Sequence, residues 1–325
     1  MKVGRLLAAA GLVLGVCAIG VLAGSSGFGW AGPDIFWAIR VPRVLAGFGA
    51  GAALAVSGAL MQTLTRNALA DPYVLGVAGG ASVGALAVML AASASGYGAS
   101  EWGIAFGAAA GAGATSALLF GLMWRRLAGQ SPGTDASAAL LLVGVMIGSG
   151  CSAIVALILS LADEGQLRGM VFWLLGDLNG ATHWEIVWIA LLLALAIVWP
   201  SARELDWLAR GDAWAATLGV PVARRRRSVL LAASLATGAA VAVAGAIGFV
   251  GLVVPHVLRR LGVRAAPLLL PASALLGGAF VVAVDAVART IVAPLQLPVG
   301  VLAAAVGVPT FIAMLLRRPG SGARP

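Results

Sequence analysis

The chain has little charge and a single lysine. Only 10% of its 325 residues are charged, and it contains two histidines and two cysteines. The lysine is Lys2, so a phosphate-binding loop of the form G-x-x-x-x-G-K-[ST] cannot exist in this chain. Cys17 and Cys151 lie far apart in apolar runs, which indicates neither a disulfide framework nor a metal site. No Ser-His-Asp, Cys-His or paired-carboxylate pattern stands out, so the sequence predicts no catalytic centre.

Apolar residues dominate the composition. They make up 61% of the chain, and the mean hydropathy is +1.02. A soluble domain of this length cannot hide so much apolar surface, whereas a polytopic helical membrane protein needs it. The net charge of +9 does not indicate nucleic-acid binding, because the cations separate apolar stretches instead of forming a basic face with interleaved aromatic residues.

Charge-poor stretches of membrane-spanning length recur along the chain. They begin near residues 6, 44, 72, 102, 136, 183, 228, 265 and 296. The run from Ser228 to Leu258 carries no formal charge and as one helix would be about 46 Å long, against a hydrocarbon core of about 30 Å. Because glycines interrupt this run, we predict two spans with a break near Gly248. The sequence therefore predicts an all-α protein with about ten transmembrane helices.

The distribution of cations predicts the orientation. With ten spans, all but four of the 21 lysine and arginine residues lie on the cytoplasmic side, as the positive-inside rule requires. The four that lie outside are Arg40, Arg43, Arg168 and Arg289. We therefore expect both termini in the cytoplasm. Met1–Gly24 could instead be a cleaved signal peptide, but its removal would leave nine spans and reverse the parity.

Glycines spaced four residues apart recur in the predicted helices. This spacing places small residues on one helix face, where two backbones can approach closely. Tight packing explains most of these pairs. The triple set Gly76, Gly80 and Gly84 on the third span is the best candidate for lining a pathway.

Ionisable residues are almost absent from the predicted spans. Asp285 is the clear case, and Arg289 four residues later is its expected partner. His183 and His256 have no second metal ligand close in sequence, so we interpret both as structural. The main alternative function is an ion- or proton-coupled secondary transporter, but a proton-coupled carrier would usually need more buried carboxylates or histidines. A non-transporting membrane scaffold is a third possibility.

The longest polar stretch, Arg203–Arg227, lies on the predicted cytoplasmic side. It predicts two short helices, Glu204–Arg210 and Ala213–Leu218. Gly211 would end the first helix and Asp212 would cap the second, which ends at Gly219. Four apolar side chains would give the loop surface that water disfavours, namely Leu205, Leu208, Trp214 and Leu218. The loop either docks a cytoplasmic partner or folds back on its own membrane domain.

Five segments resemble, in order and over essentially the whole chain, the permease subunits of the FecCD-like family. These are ABC importers for iron chelates, haem and vitamin B12. The matching segments are Arg40–Gly58, Arg66–Gly76, Leu208–Pro221, Val243–His256 and Leu297–Gly307. One departure is Ala68, where the family usually has proline. In the second segment, Asp71-Pro72 predicts the start of the third span.

The resemblance implies a vitamin B12-permease-like fold in residues 1–325 and a complex in a bacterial inner membrane. Two copies of the chain would form a homodimer around a central pathway for an iron complex, either siderophore or haem, or for vitamin B12. Two ATPase subunits would bind ATP and magnesium, so this chain needs no cofactor, and a periplasmic protein would deliver the cargo. The implied ATPase-coupling residues are Arg210, Gly211, Asp212, Leu218 and Gly219.

The resemblance also implies two further sites, a cytoplasmic gate and a docking surface for the periplasmic protein. Ser137 and Ala138 would lie at the cytoplasmic gate. Arg168, in a predicted short outer helix with Phe172 and Trp173, could meet cargo carboxylates or simply be solvated. The implied docking residues for the periplasmic protein are Arg40, Arg43 and Arg289. A pair with Asp285 is the alternative for Arg289, and lipid headgroup contact is the alternative for Arg40 and Arg43.

Overall fold

The computed structural model describes residues 3–24, 27–30, 32–96, 98–127 and 136–316, and these are mostly helical. The helices are α1 Val3–Leu22, α2 Pro33–Ile35, α3 Val41–Leu64, α4 Val77–Ala94, α5 Glu101–Leu127, α6 Ala136–Leu161, α7 Glu164–Leu174, α8 Trp184–Val198, α9 Ala202–Leu208, α10 Asp212–Thr217, α11 Val222–Ala244, α12 Val250–Arg260, α13 Ala266–Thr290 and α14 Val299–Leu316. A π-helical turn, Phe36–Arg40, joins α2 to α3, and β1 Ala23–Gly24 pairs antiparallel with β2 Gly27–Phe28.

Helices are the expected result of this composition, because backbone groups inside a lipid bilayer must be satisfied within the chain. Seven helical segments of the described residues are long and apolar enough to cross a membrane. They are Pro33–Leu64, Val77–Ala94, Glu101–Trp124, Ala138–Leu161, Trp184–Leu208, Val222–Ala244 and Ala266–Thr290. Gly11–Leu22 and Val299–Met314 are shorter apolar helices. The helical fold is as predicted, but the count of ten spans is not confirmed.

The predicted break near Gly248 is confirmed. Helix α11 ends at Ala244 and α12 begins at Val250, with five non-helical residues between them in place of one long helix. Gly245 adopts a φ of +65°, and a Cβ there would overlap the carbonyl oxygen of Trp173. With 11 residues, α12 is about 16 Å long and is too short to cross a bilayer by itself.

Helix α3 lies at the centre of the fold, and its residues from Gly49 to Leu64 are all buried. Glycines allow its neighbours to approach it backbone to backbone. A Cβ at Gly51 would overlap the carbonyl oxygen of Gly277 on α13, and a Cβ at Gly58 would overlap that of Gly251 on α12. Ser57 Oγ lies 2.7 Å from Thr237 Oγ1 on α11, which adds a polar contact between α3 and α11. The close packing makes α3 the element through which α11, α12 and α13 are held together.

The predicted start of the third span at Asp71-Pro72 is wrong by one short turn. Asp71 Oδ1 accepts a hydrogen bond of 2.8 Å from the backbone N–H of Tyr73, so the carboxylate caps a separate 3₁₀ turn, Pro72–Leu75. Gly76 then adopts a φ of +76°, and α4 starts at Val77. Asp71 does act as a cap, as predicted, but it caps the 3₁₀ turn and not α4. Gly76 in its left-handed conformation separates this turn from α4.

Candidate functional site

The polar loop between α8 and α11 contains the two predicted short helices, α9 and α10. Leu205 and Leu208 on α9 are each 1% exposed and pack against the protein, whereas Trp214 on α10 and Leu218 after it are 43% and 46% exposed. The first half of the loop therefore folds back on the helical body, as the alternative interpretation required. The second half presents the apolar surface that a docking role requires.

Gly211 and Gly219 delimit α10, as predicted. Gly211 has a φ of +131°, and its carbonyl oxygen accepts a 2.9 Å hydrogen bond from the N–H of Ala215. Gly219 has a φ of +80°, a left-handed conformation that suits glycine at a helix end. Asp212 is the first residue of α10 and Gly211 occupies the capping position, so the predicted Asp212 cap is wrong. The Asp212 carboxylate pairs with an arginine instead.

Two ion pairs attach the loop to the start of α11. Arg225 Nε and Nη2 donate to Glu204 Oε2 and Oε1 at 2.7 and 2.9 Å, a bidentate arrangement that fixes the relative orientation of the two groups. Arg226 Nη2 lies 2.7 Å from Asp212 Oδ2, and Arg226 is only 4% exposed. The pairs join α9 and α10 separately to one helix, so the loop is held to α11 at two points. Neither pair was predicted from the sequence, because a run of charged residues usually forms a solvated face.

Arg210 belongs to the exposed side of this loop. Its guanidinium carbon lies 5.2 Å from the centre of the Trp214 ring, and both side chains are exposed. Such a cation–π contact covers one face of the indole and keeps a positive charge beside an apolar patch. Arg210, Trp214 and Leu218, here named the α10 face, are therefore an exposed surface of mixed apolar and positive character.

At the opposite, predicted outer, end of α3 lies a buried arginine cluster. Asp285 on α13 is 1% exposed and accepts from two arginines. Arg43 Nη2 lies 2.8 Å from Asp285 Oδ1, and Arg289 Nη2 lies 3.0 Å from Asp285 Oδ2. Arg43 Nη1 also donates to Asn179 Oδ1 at 2.6 Å and to Gln296 Oε1 at 2.8 Å. The predicted Asp285–Arg289 pair is confirmed, and Arg43 joins it from another helix.

Arg40 and Arg289 both bind backbone carbonyl groups near the end of α1. Arg40 Nη1 donates to the carbonyl oxygens of Leu22 and Gly29 at 3.0 and 2.6 Å. Arg289 Nη1 donates to that of Ala23 at 2.7 Å. These cations satisfy carbonyl groups that a helix end leaves without an intrahelical partner.

The burial of these arginines argues against the docking interpretation. Arg40, Arg43 and Arg289 are 5%, 7% and 3% exposed, so their charges are used within the protein and not on its surface. Carboxylate and carbonyl partners inside the protein therefore account for the positive charge at these positions, which the positive-inside rule does not predict. A docking role for these three residues has no support in the structure, because a partner's carboxylates would have to displace these contacts.

Two of the three candidate pathway glycines are used in helix packing. A Cβ at Gly80 would overlap the carbonyl oxygen of Gly111 on α5, and a Cβ at Gly84 would overlap that of Gly107. A Cβ at Gly76 would lie 2.8 Å from Cγ2 of Ile147 on α6. The packing alternative therefore accounts for this glycine face, and no passage runs between α4 and α5 at Gly80 and Gly84.

The remaining predicted site residues lie apart from one another. The Ser137 side chain is outside the described residues, while Ala138 is exposed in the first turn of α6. Arg168 is exposed on α7, which confirms the predicted short helix, and lies 5.6 Å from the centre of the Phe172 ring. The structure brings Arg168 close to no charged partner among the described residues, in agreement with a solvated cation.

Both histidines pack against aromatic rings. The His183 ring lies 3.7 Å from that of Trp102, and His256 packs edge-on against Phe311 at 6.1 Å. Within the described ranges, no three His, Cys, Asp or Glu side chains lie close enough to hold a metal ion.

A polar contact that sequence reasoning missed joins α3 to α12. Gln62 Nε2 donates to the carbonyl oxygen of Leu252 at 3.1 Å, and Gln62 Oε1 accepts from Arg259 Nη1. Gln62 is uncharged and lies in an apolar run, so a search for charged residues passes over it. The one feature of the sequence that could have indicated this contact is an amide side chain inside a predicted span.

Comparison with known proteins agrees with this architecture. The FecCD transport family matches residues 6–317. The vitamin B12 import system permease protein BtuC of Escherichia coli O17:K52:H18 is 38% identical over 293 residues, 89% of this chain and 86% of the relative. BtuC of Shigella sonnei is 39% identical over 283 residues, 86% of this chain and 83% of the relative.

A solved structure has the same fold over nearly its whole length. This structure, described as an inward-facing conformation of a metal-chelate type ABC transporter, aligns with a TM-score of 0.83 and 27% identity, covering 97% of this chain and 99% of the other. The family match covers most of the chain, and the two relatives are more than 30% identical to it over most of their own length. The chain belongs to the FecCD transport family and is the permease subunit of an ABC importer.

Proposed function

We propose that the chain works as a homodimer that two ATPase subunits drive from the cytoplasm and a periplasmic binding protein supplies with cargo. Residues 1–325 would form one permease domain in a bacterial inner membrane, with both termini in the cytoplasm. The observation that carries the proposal is the α10 face, an exposed apolar and positive surface on a loop held to α11 by two ion pairs. A surface of this kind suits a protein partner.

In this proposal, movement of the α10 face passes to the membrane helices as a rigid-body tilt. The Arg225–Glu204 and Arg226–Asp212 pairs link the loop to α11. The α11 helix is in turn bonded to the central α3 through Ser57, whose Oγ donates to the carbonyl oxygen of Ala233 at 2.9 Å. Helices packed this closely move together more readily than they deform, which suits alternating access.

The chain itself would bind no nucleotide. Its single lysine, Lys2, precludes a Walker A loop, and no ATP, magnesium or other cofactor is proposed to bind it. The partner ATPase would carry both. A proton-coupled mechanism gains no support, since the buried Asp285 carboxylate is already paired with two arginines.

We further propose a metal chelate as cargo, with vitamin B12 the first to test. Two relatives carry vitamin B12 import in their names, and the structural neighbour is of metal-chelate type. The test is uptake into proteoliposomes that contain the permease, its ATPase and its binding protein. Cyanocobalamin, haem and a ferric siderophore would be offered separately. ATP-dependent uptake of cyanocobalamin alone supports vitamin B12, whereas uptake of only haem or the siderophore contradicts it.

The α10 face is tested with the double variant Trp214→Glu/Leu218→Glu. Both side chains are exposed, so the variant should insert and fold as the wild type does. We expect the ATPase subunit to be lost from the purified complex. The matched control is Ala213→Glu, at an exposed position of the same short helix beside the face. Normal assembly of the double variant would contradict the proposed docking surface.

A further inference from the structure

A groove of about 490 Å³ lies between α5, α8 and α11. Its walls are almost entirely apolar and contain many small residues. They are formed by Ala109, Ala112, Gly113, Ser116, Ala117, Phe120, Ile186, Ala190, Leu231, Ser234, Leu235, Gly238, Ala239 and Ala242. Around it, Leu118, Ile189 and Leu231 are 51%, 58% and 50% exposed, as residues that face lipid would be.

The groove has the length of one membrane leaflet. It follows α11 from Leu231 to Ala242, a rise of about 16 Å, and half of the hydrocarbon core measures about 15 Å. Leu231 lies four residues after Arg227, so this arginine is on the same helix face, one turn beyond the end of the groove. A basic residue therefore lies one turn beyond one end of the apolar groove.

The basic end carries positive charge that no carboxylate of the described residues compensates. Arg225 and Arg226 are paired with carboxylates, but Arg224 is exposed and meets no carboxylate among the described residues. The Arg227 guanidinium carbon lies 3.7 Å from the centre of the Trp124 ring on α5. Its Nε is buried without a hydrogen-bond partner in the described part of the chain. Tryptophan at such a position is typical of the membrane interface, where arginine can meet lipid phosphates.

Ser234 is a polar group in the groove that lacks a partner. The residue is 5% exposed, and within the described residues its Oγ has no hydrogen bond. A buried hydroxyl without a partner costs free energy. An occupant that is apolar along most of its length but has an ester carbonyl near one end would satisfy it.

We propose that this groove binds one anionic phospholipid, such as phosphatidylglycerol. One acyl chain lies between α5, α8 and α11, and the phosphate lies at Arg227 and Arg224. Charge complementarity at one end and a leaflet-long apolar wall beyond it match the two parts of this ligand. On the predicted orientation, the lipid belongs to the cytoplasmic leaflet. The site lies beside α11, the helix to which the coupling loop is attached.

The test is native mass spectrometry of the full-length protein, released from nanodiscs that contain equal amounts of phosphatidylglycerol and phosphatidylethanolamine. The wild type should retain one phosphatidylglycerol per chain in preference to phosphatidylethanolamine. Arg227→Gln should lower this preference by about fivefold. Arg264→Gln, which removes an exposed arginine remote from the groove, should leave the preference unchanged.

The acyl site is tested with Gly113→Leu. A Cβ at Gly113 meets no atom within 4 Å, so the new side chain can enter the groove without disturbing the helix. We expect retention of either lipid to fall to background. Gly121→Leu is the matched control, since Gly121 is on the same helix, has the same open surroundings and does not line the groove.

Three results would overturn the proposal. The first is equal retention of the two phospholipids by the wild type. The second is a Gly113→Leu protein that retains as much phosphatidylglycerol as Gly121→Leu. The third is a lipid-free dimer whose interface protects the groove from a thiol reagent at Gly113→Cys, which would make a second copy of the chain the occupant.

Discussion

Arg225 and Glu204 form a two-point ion pair that joins α11 to α9. The Nε and Nη2 atoms of Arg225 donate to the two carboxylate oxygens at 2.7 and 2.9 Å, and the side chains are 21% and 24% exposed. Such a pair adds little stability at a hydrated site, but its planar geometry fixes the angle between the two helices. We therefore interpret it as the joint through which the loop moves α11.

The first prediction concerns this joint. Arg225→Lys keeps the charge but loses the planar fork. We expect the stability of the complex to change by less than about 1 kcal/mol. Cargo uptake should fall by about fivefold or more, because coupling between sites is lost. The measurement is uptake per ATP hydrolysed in proteoliposomes, with Arg224→Lys as the matched control. An unchanged ratio in Arg225→Lys would show that the pair is not a coupling element.

The second prediction concerns Gly211. Its φ of +131° is a conformation that valine rarely adopts, so Gly211→Val should cost about 1–3 kcal/mol locally and displace α10 from α9. We expect the ATPase subunit to lose its stimulation by cargo or its attachment, while membrane insertion stays normal. Gly121→Val, at an open helical glycine, controls for the added bulk. Full transport by Gly211→Val would return the loop to a purely structural role.

The third prediction concerns the arginine cluster. Asp285→Asn would leave Arg43 and Arg289 buried without their carboxylate, and breaking such a network should cost about 3–5 kcal/mol. The expected result is a large fall in melting temperature of the detergent-solubilised protein. Arg168→Met, which removes an exposed outer arginine, should leave it almost unchanged.

A second experiment on the same cluster distinguishes a structural role of these arginines from a docking role. Charge reversal of Arg40 and Arg43 together should lower the yield of folded protein in the membrane, since both guanidinium groups are buried. Normal yield combined with slower, more salt-sensitive association of the binding protein would instead restore the docking interpretation.

The sequence could predict features that depend on neighbouring residues. Asp285 and Arg289 are one helical turn apart, so their pair followed from spacing, and the two short helices followed from Gly211 and Gly219. Arg43 joins Asp285 from 242 positions away, a contact that no local pattern contains. Burial of three of the four outer arginines, Arg40, Arg43 and Arg289, was missed for the same reason.

Local sequence patterns were equally unable to predict which side chains of the loop are exposed. Leu208 and Leu218 are the same residue type in two short helices, yet one is 1% and the other 46% exposed. Only packing against the helical body decides which of them remains on the surface. The role of the helix face with Gly80 and Gly84 was likewise open between packing and a pathway. Four-residue spacing predicts a smooth face but does not show what lies against it.

The fourth prediction is topological. On a background without Cys17 and Cys151, a cysteine at Arg224 should be protected from an impermeant thiol reagent in intact cells, and one at Glu164 should react. Both positions are exposed in the structure, whereas the neighbouring Arg226 is buried and would report poorly. Permeabilised cells provide the control, in which both cysteines should react. Labelling at Arg224 from outside would reverse the predicted orientation.

Site-directed cross-linking tests most directly whether the α10 face is where the ATPase binds. A single cysteine at Leu218 would be treated, in inverted membrane vesicles, with a short bifunctional reagent that also reacts with lysine. We predict a cross-linked product of the permease and the ATPase subunit whose yield changes when ATP is added. A cysteine at Glu164 should give none. If Leu218→Cys reacts with the reagent but forms no product with the ATPase in any nucleotide state, the α10 face is not the coupling surface.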